Sequence, residues 1–278
     1  MIKIIDLDAL FDKYIEGYVY ANIGKVKPEE IENKIPELYL SFGDEKLDEL
    51  GGKTPNTYYK DFSGEELVNC LKAHLEKRVA VSDFLCEAIT GRMENQTALA
   101  NSLNIEESSE EFILYVVNML GEMNSDVALD KYLDFIEWDY SEIIKELATE
   151  LLGEFAEKVK EKVIERYNEC AEEKKPYYTD ILSKTQKDDR VFDILMLEFA
   201  KHTENVPLYA GYLAKFGDER ALPFLYKAIE KEKLSYADFE ELRFAIEALG
   251  GFYDKERDFS SDKSYKKIKG IKNKTIKH

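Results

Sequence analysis

The chain has 278 residues, of which 44% are hydrophobic and 35% charged, and its formal net charge is −18. That balance excludes a disordered chain and suits a soluble helical body with charged outer faces. The longest charge-free apolar run, residues 112–121, is about half of the roughly 20 residues that a membrane span requires.

Taken in chain order, apolar residues at i, i+3, i+4 and i+7 predict a first helix over residues 6–20. Acids in its first turns and the lack of a small-residue cleavage site do not fit a secretory signal. Pro28 opens a second helix where its missing N–H costs nothing, and Pro36 is expected to end or kink it. A short helix follows from Glu37 and stops at Gly43. Residues 51–61, GGKTPNTYYKD, hold two glycines, a proline and an asparagine, and are predicted to be irregular. Ser63 and Glu66 have the spacing of a capping box. The helix they open carries Leu67, Val68, Cys70, Leu71, His74 and Leu75.

Ser82 and Asp83 start the next helix, which ends near Gly91. Ser108-Ser109-Glu110-Glu111 reads as another capping box, for a helix that closes at Leu120-Gly121. Ser125 or Asp126 starts one more. Asp139 or Ser141 caps another that ends near Gly153, and the pattern stays helical to about residue 174. Pro176-Tyr177-Tyr178 marks a connection. Helices over residues 178–183, 189–201, 206–216, 218–230 and 236–249 complete the series. No stretch alternates with period 2, so the fold class is read as all-α. A basic tail, residues 253–278, closes the chain. Residues 263–278 hold seven of the 39 cations, all lysine, and none of the 57 acids. The residues before them set 32 cations against 57 acids, a net −25. A body so acidic repels nucleic acid and anionic membrane, and points to a protein partner, a basic one for preference. The tail itself reads as a solubilising segment or one that folds back on the acidic body.

A glycine follows an apolar residue at Leu120-Gly121, Leu152-Gly153, Phe216-Gly217 and Leu249-Gly250, at intervals of 32, 64 and 33 residues. A near-constant period with one doubled interval is what stacked two-helix repeats leave in a sequence. Around the last interval, Gly217 is suited to end one helix and Asp218 to cap the next. Pro223 is expected to bend that next helix. Leu222, Leu225 and Ile229 would line one face, and Phe244, Ala245, Ala248 and Leu249 the helix opposite. This segment, residues 212–250, resembles the short HEAT-like repeats of α-solenoid proteins. Those repeats show a Gly-Asp, a charged residue and an Ala-Leu-Pro before two apolar helices. Phe42-Gly43-Asp44-Glu45 repeats the core without the Ala-Leu-Pro. Asp189-Arg190-Val191 aligns with Glu219-Arg220-Ala221 at an offset of 30. The resemblance implies antiparallel helix pairs stacked as an α-α superhelix. Residues 1–62 would form an atypical N-terminal helical cap with its irregular loop, and residues 63–252 the repeats. Such an array usually binds protein and implies no activity.

Candidate chemistry is sparse. Gly52-Lys53-Thr54 looks like the end of a phosphate loop, but Leu47 stands where that motif needs glycine. Cys70 and His74, four apart on one helix face, could form a nucleophile pair, although the apolar stripe around Cys70 favours a structural thiol. Glu198 and His202 share the same spacing and read as an ion pair rather than a metal site. Cys70, Cys86 and Cys170 have no metal-like spacing. Their small, odd number argues for a reducing cytoplasm and against a disulfide framework. No cofactor is expected. Tyr58, Tyr59, Phe62, Tyr177 and Tyr178 fall in or beside the two stretches read as connections. Tyrosine outside helices suits a partner surface, because it brings area at little entropic cost; the equal alternative for residues 58–62 is that they plug an end of the stack. The expected function is therefore a cytoplasmic, non-catalytic protein-interaction or scaffold module. The alternative is an all-α enzyme or small-ligand protein using a groove near residues 51–74.

Overall fold

A computed structural model describes residues 3–23, 28–138, 141–267 and 270. The chain is all-α, with no strand among these residues. It divides into two compact units, Met1–Lys131 and Tyr132–His278. Asp139, one of the two predicted caps, and most of the lysine-rich end of the tail lie outside the described residues.

The first unit contains α1 (Leu7–Ala21), α2 (Pro28–Glu32), α3 (Ile35–Gly43), α4 (Pro55–Tyr58), α5 (Gly64–Glu76), α6 (Asp83–Thr90), α7 (Gln96–Ser102) and α8 (Glu110–Glu122). The boundary falls within α9 (Leu129–Glu137). Helix α5 packs on α6, α7 and α8, and Leu67, Leu71, Leu85, Ile89, Leu99 and Ile113 are sealed between them. The capping box forms as its spacing predicts: the Glu66 N–H donates to Ser63 Oγ at 3.2 Å, and the Ser63 N–H donates to the Glu66 carboxylate at 2.8 Å.

Several elements depart from the sequence reading. Pro36 sits in the first turn of α3 and opens that helix rather than ending α2. Residues 51–61 are not wholly irregular, since Thr54 and Thr57 cap the short helix α4. The α8 cap is Ser109, whose Oγ accepts from Phe112 N at 3.2 Å. The third helical position is thus apolar, and the predicted glutamate return is not made. Helix α8 also runs through Gly121; Asn124, at φ 48°, ends it. Helix α7 has no counterpart among the predicted elements.

The second unit contains α10 (Glu142–Glu154), α11 (Ala156–Glu169), α12 (Lys175–Ser183), α13 (Asp189–Lys201), α14 (Val206–Phe216), α15 (Leu222–Ile229) and α16 (Tyr236–Ala248). Helices α10, α12, α14 and α16 pack one on the next, while α11, α13 and α15 each pack on the helix that follows them. Gly217 and Gly250 take the left-handed backbone (φ 75° and 81°) and terminate α14 and α16. Gly153 instead lies inside α10, and the chain breaks after it at Phe155. Pro223 occupies the first turn of α15, so it starts that helix and does not bend it. The buried stripe of α16 runs through Phe239, Leu242, Ala245 and Ile246. Phe244, two residues from Leu242 and so about 200° around the helix, is 67% exposed. Ala248 also faces outward, so neither lines the inner face.

A repeated cap joins successive hairpins. Asp188 accepts from the Arg190 N–H at 2.9 Å and from its guanidinium at 2.8 Å, and the same guanidinium reaches Glu161 on α11 at 2.7 and 2.8 Å. Asp218 accepts from the Arg220 N–H at 3.0 Å and guanidinium at 2.7 Å, and Arg220 reaches back to Asp189 at 2.8 Å. Each aspartate thus caps its own segment, and the arginine it holds pairs with an acid one hairpin earlier.

Candidate functional site

Two helical stripes of the second unit face an open groove of about 600 Å³. Asp193, Met196, Leu197 and Ala200 follow i, i+3, i+4, i+7 on α13; Phe224, Lys227, Ala228 and Lys231 repeat that spacing on α15 and the turn after it. Phe192, Phe199 and Val206 add apolar lining. Leu197 is 48% and Phe224 50% exposed. Two large apolar side chains in one concavity are more informative than scattered surface apolar residues. The cations Lys227 and Lys231 belong to the same wall, and among the described residues neither joins an ion pair.

The five aromatic residues singled out from the sequence fall into two places. In the first unit Tyr58, Tyr59 and Phe62 pack on one another, with ring centroids 4.9 to 5.5 Å apart. Tyr59 is only 2% exposed, and burial raises its phenol well above the usual tyrosine range. The Arg92 guanidinium fixes the turn after α4 by donating to the carbonyls of Tyr59, Lys60 and Phe62 at 3.0, 2.9 and 2.9 Å. In the second unit Tyr178 is fully buried, its hydroxyl donating to the Glu137 carboxylate. Tyr177 is half-buried and donates to Glu142. The expectation of a partner surface therefore fails for Tyr59 and Tyr178, which are core residues. Each lies on or beside a short helix, where consecutive positions point about 100° apart and only one of two tyrosines can face out.

The polar clusters are turned inward. His74 is buried, with Nδ1 2.8 Å from the Cys70 carbonyl and Nε2 3.2 Å from the Ile5 carbonyl. The Cys70 sulfur lies 3.8 Å from Nδ1, and burial pushes its thiol up to about 11. A thiol held protonated and out of reach of solvent is a poor nucleophile. A recess lined by Tyr59, Lys60, Glu87 and Arg92 among others measures about 210 Å³, below the roughly 300 Å³ at which ligand pockets begin; another, of about 500 Å³, is lined by Leu75, Val79 and Tyr115 among others, and neither Cys70 nor His74 lines either recess. Glu198, fully buried, accepts from Tyr167 Oη at 2.5 Å; His202 Nε2 lies 3.2 Å and Lys201 Nζ 3.5 Å away. Burial first, and the Glu198 bond second, raise the Tyr167 phenol. His202 Nδ1 is 2.9 Å from Glu204, and its ring stacks on Tyr209. A carboxylate thus lies within hydrogen-bond reach of each nitrogen of this imidazole. Among the described residues no group of three His, Cys, Asp or Glu side chains is placed to hold one. No helix among them is long and apolar enough to cross a membrane.

Sequence reading missed two parts of this picture. The Tyr167–Glu198 bond joins residues 31 apart with no motif between them. The groove was visible only as two apolar periodicities, which look the same whether covered or open. Compared with known protein families and with curated proteins, the chain matches none.

Proposed function

We propose that the chain is a non-catalytic protein-interaction module of HEAT-like helical hairpins, and that the groove between the α13 and α15 stripes is its docking surface. The observation that carries this reading is the groove itself. Two walls with the same i, i+3, i+4, i+7 spacing expose Leu197 and Phe224 where a packed array would cover them. The volume suits inserted side chains. Order in the second unit supports the HEAT-like reading: alternate helices form a continuous row, and the Asp-x-Arg cap recurs at an offset of 30 residues. Half-buried Tyr58 and Phe62 in the first unit and, separately, Tyr177 in the second remain secondary candidates.

The test is affinity capture with the full chain and with Leu197→Asp/Phe224→Asp. Both side chains are half-exposed, so the fold should survive, which circular dichroism checks. Partners held by the parent and lost by the variant support the reading. Equal capture by a folded variant removes the groove from it.

A further inference from the structure

We propose that the groove takes an acidic amphipathic helix, an inference that rests on the docking role proposed above. Three observations carry it. First, each wall is a helix stripe of matching period. A slot between two such stripes accepts a third helix by ridge-and-groove packing, the helix-in-groove mode of peptide recognition. Second, the charge on the slot opposes that of the chain. The whole molecule carries −18, yet the α15 wall presents Lys227 and Lys231 and the facing wall the single acid Asp193. Lys227 lies in the last turn of α15 and Lys231 two residues past its end, on the same wall. Their flexible stems can reach carboxylates at i and i+4 of a docked helix, about 6 Å apart in rise. Third, the lining between them is apolar, with Leu197 and Phe224 open to an incoming side chain.

Overall composition favours a basic partner, but the local field decides at contact. Exposed charges farther than about 10 Å are screened at 0.1 M salt, whereas Lys227 and Lys231 lie at the groove itself. The distant acids repel anions in general, so an acidic segment must also supply the apolar contacts. That combination makes the site selective for amphipathic over merely acidic chains.

The experiment uses the full chain and three labelled helical peptides of about 18 residues, roughly 27 Å long. They share one leucine stripe and carry Glu, Gln or Lys on the flanks. Fluorescence anisotropy should place the Glu peptide on the order of tenfold tighter than the Lys peptide, the scale of two rim ion pairs. Lys227→Glu/Lys231→Glu should reverse that order, and Leu197→Asp should weaken all three. A Lys peptide that binds the parent as tightly as the Glu peptide, or an order unmoved by the charge reversal, overturns the inference and leaves the docking role standing. Binding indifferent to Leu197→Asp, or no binding by any peptide, overturns the inference and counts against the groove as well.

Discussion

Alanine substitutions at Gly217 and Gly211 should have opposite signs, although the residues lie six apart. Gly217 ends α14 at φ 75°, ψ 26°, its N–H donating to Leu213 O at 3.1 Å. A Cβ built there meets no atom within 4 Å, so the effect is purely backbone. Holding an L-residue in the left-handed region costs about 1–2 kcal/mol. The stiffer unfolded chain returns about 0.4–1 kcal/mol, leaving a net loss near 1 kcal/mol. Gly211 sits in the middle of α14, and a Cβ there also meets nothing within 4 Å. Alanine in a helix interior is favoured over glycine by about 1 kcal/mol. The two variants should therefore differ by about 2 kcal/mol. Urea unfolding followed by circular dichroism reads this as midpoints moved in opposite directions at constant slope. A Gly217→Ala midpoint at or above the parent would refute the left-handed closure and the repeat boundary drawn from it. A destabilised Gly211→Ala would mean that α14 packs closer at that position than the structure has it.

Two further outcomes follow from buried and capped carboxylates. Glu198→Ala strips the acceptor from the buried Tyr167 hydroxyl and should cost about 1–3 kcal/mol, the scale of leaving a buried donor unsatisfied. Glu198→Gln keeps an acceptor and should cost less; urea midpoints compare them, and a loss under about 1 kcal/mol for alanine would show the cluster to be solvated. The Arg190 guanidinium, by its hydrogen bond, holds the Asp188 carboxyl down to about 2, against about 3.9 in an unfolded chain. A depressed folded-state value adds stability above the unfolded value, and that stability is lost as pH falls from about 5 towards 2. Asp188→Asn retains a capping side chain, so the gap in melting temperature between parent and variant should be open at neutral pH and close near pH 2. A gap constant across that range would rule out the linkage.

Local chemistry was readable wherever one residue type can serve. Ser63 with Glu66, the spans of α13 and α14, and the glycine after Phe216 all stand where their sequences put them. The Leu-Gly closures divide on a physical point. Gly217 and Gly250 lie where the backbone must turn left-handed, but Gly121 and Gly153 lie within helices that continue because neighbouring elements pack on them. A mid-helix glycine costs about 1 kcal/mol, which packing offsets and composition does not reveal. Tyr59 and Tyr178 were misplaced for a related reason. Pro55 and Pro176 look like loop formers, yet each occupies the first turn of a short helix, and that helix turns one aromatic into the core. The offset of 30 between Arg190 and Arg220 was legible as an alignment. Its work, a guanidinium shared between its own cap and an acid one hairpin back, needs coordinates for Glu161 and Asp189.

That shared guanidinium also bears on why the groove is there at all. Arg220 pairs with Asp189 at the first residue of α13, and its guanidinium lies 4.2 Å over Phe192, one of the groove's own lining residues. The start of α13 and the segment leading into α15 are thereby tied. Farther along, α13 packs on α14 and α15 on α16, so the stripes have partners behind them, while Leu197 and Phe224 stay about half exposed on the groove side. A slot fixed at one end and walled by helices with separate partners need not be ordered when a ligand arrives. The entropy of shaping it is spent in folding, and a preformed site loses less affinity to that cost. The ion pair itself, with Asp189 85% exposed, adds little stability. The guanidinium over Phe192 is the firmer tie between the start of α13 and the segment leading into α15, at one end of the proposed docking surface.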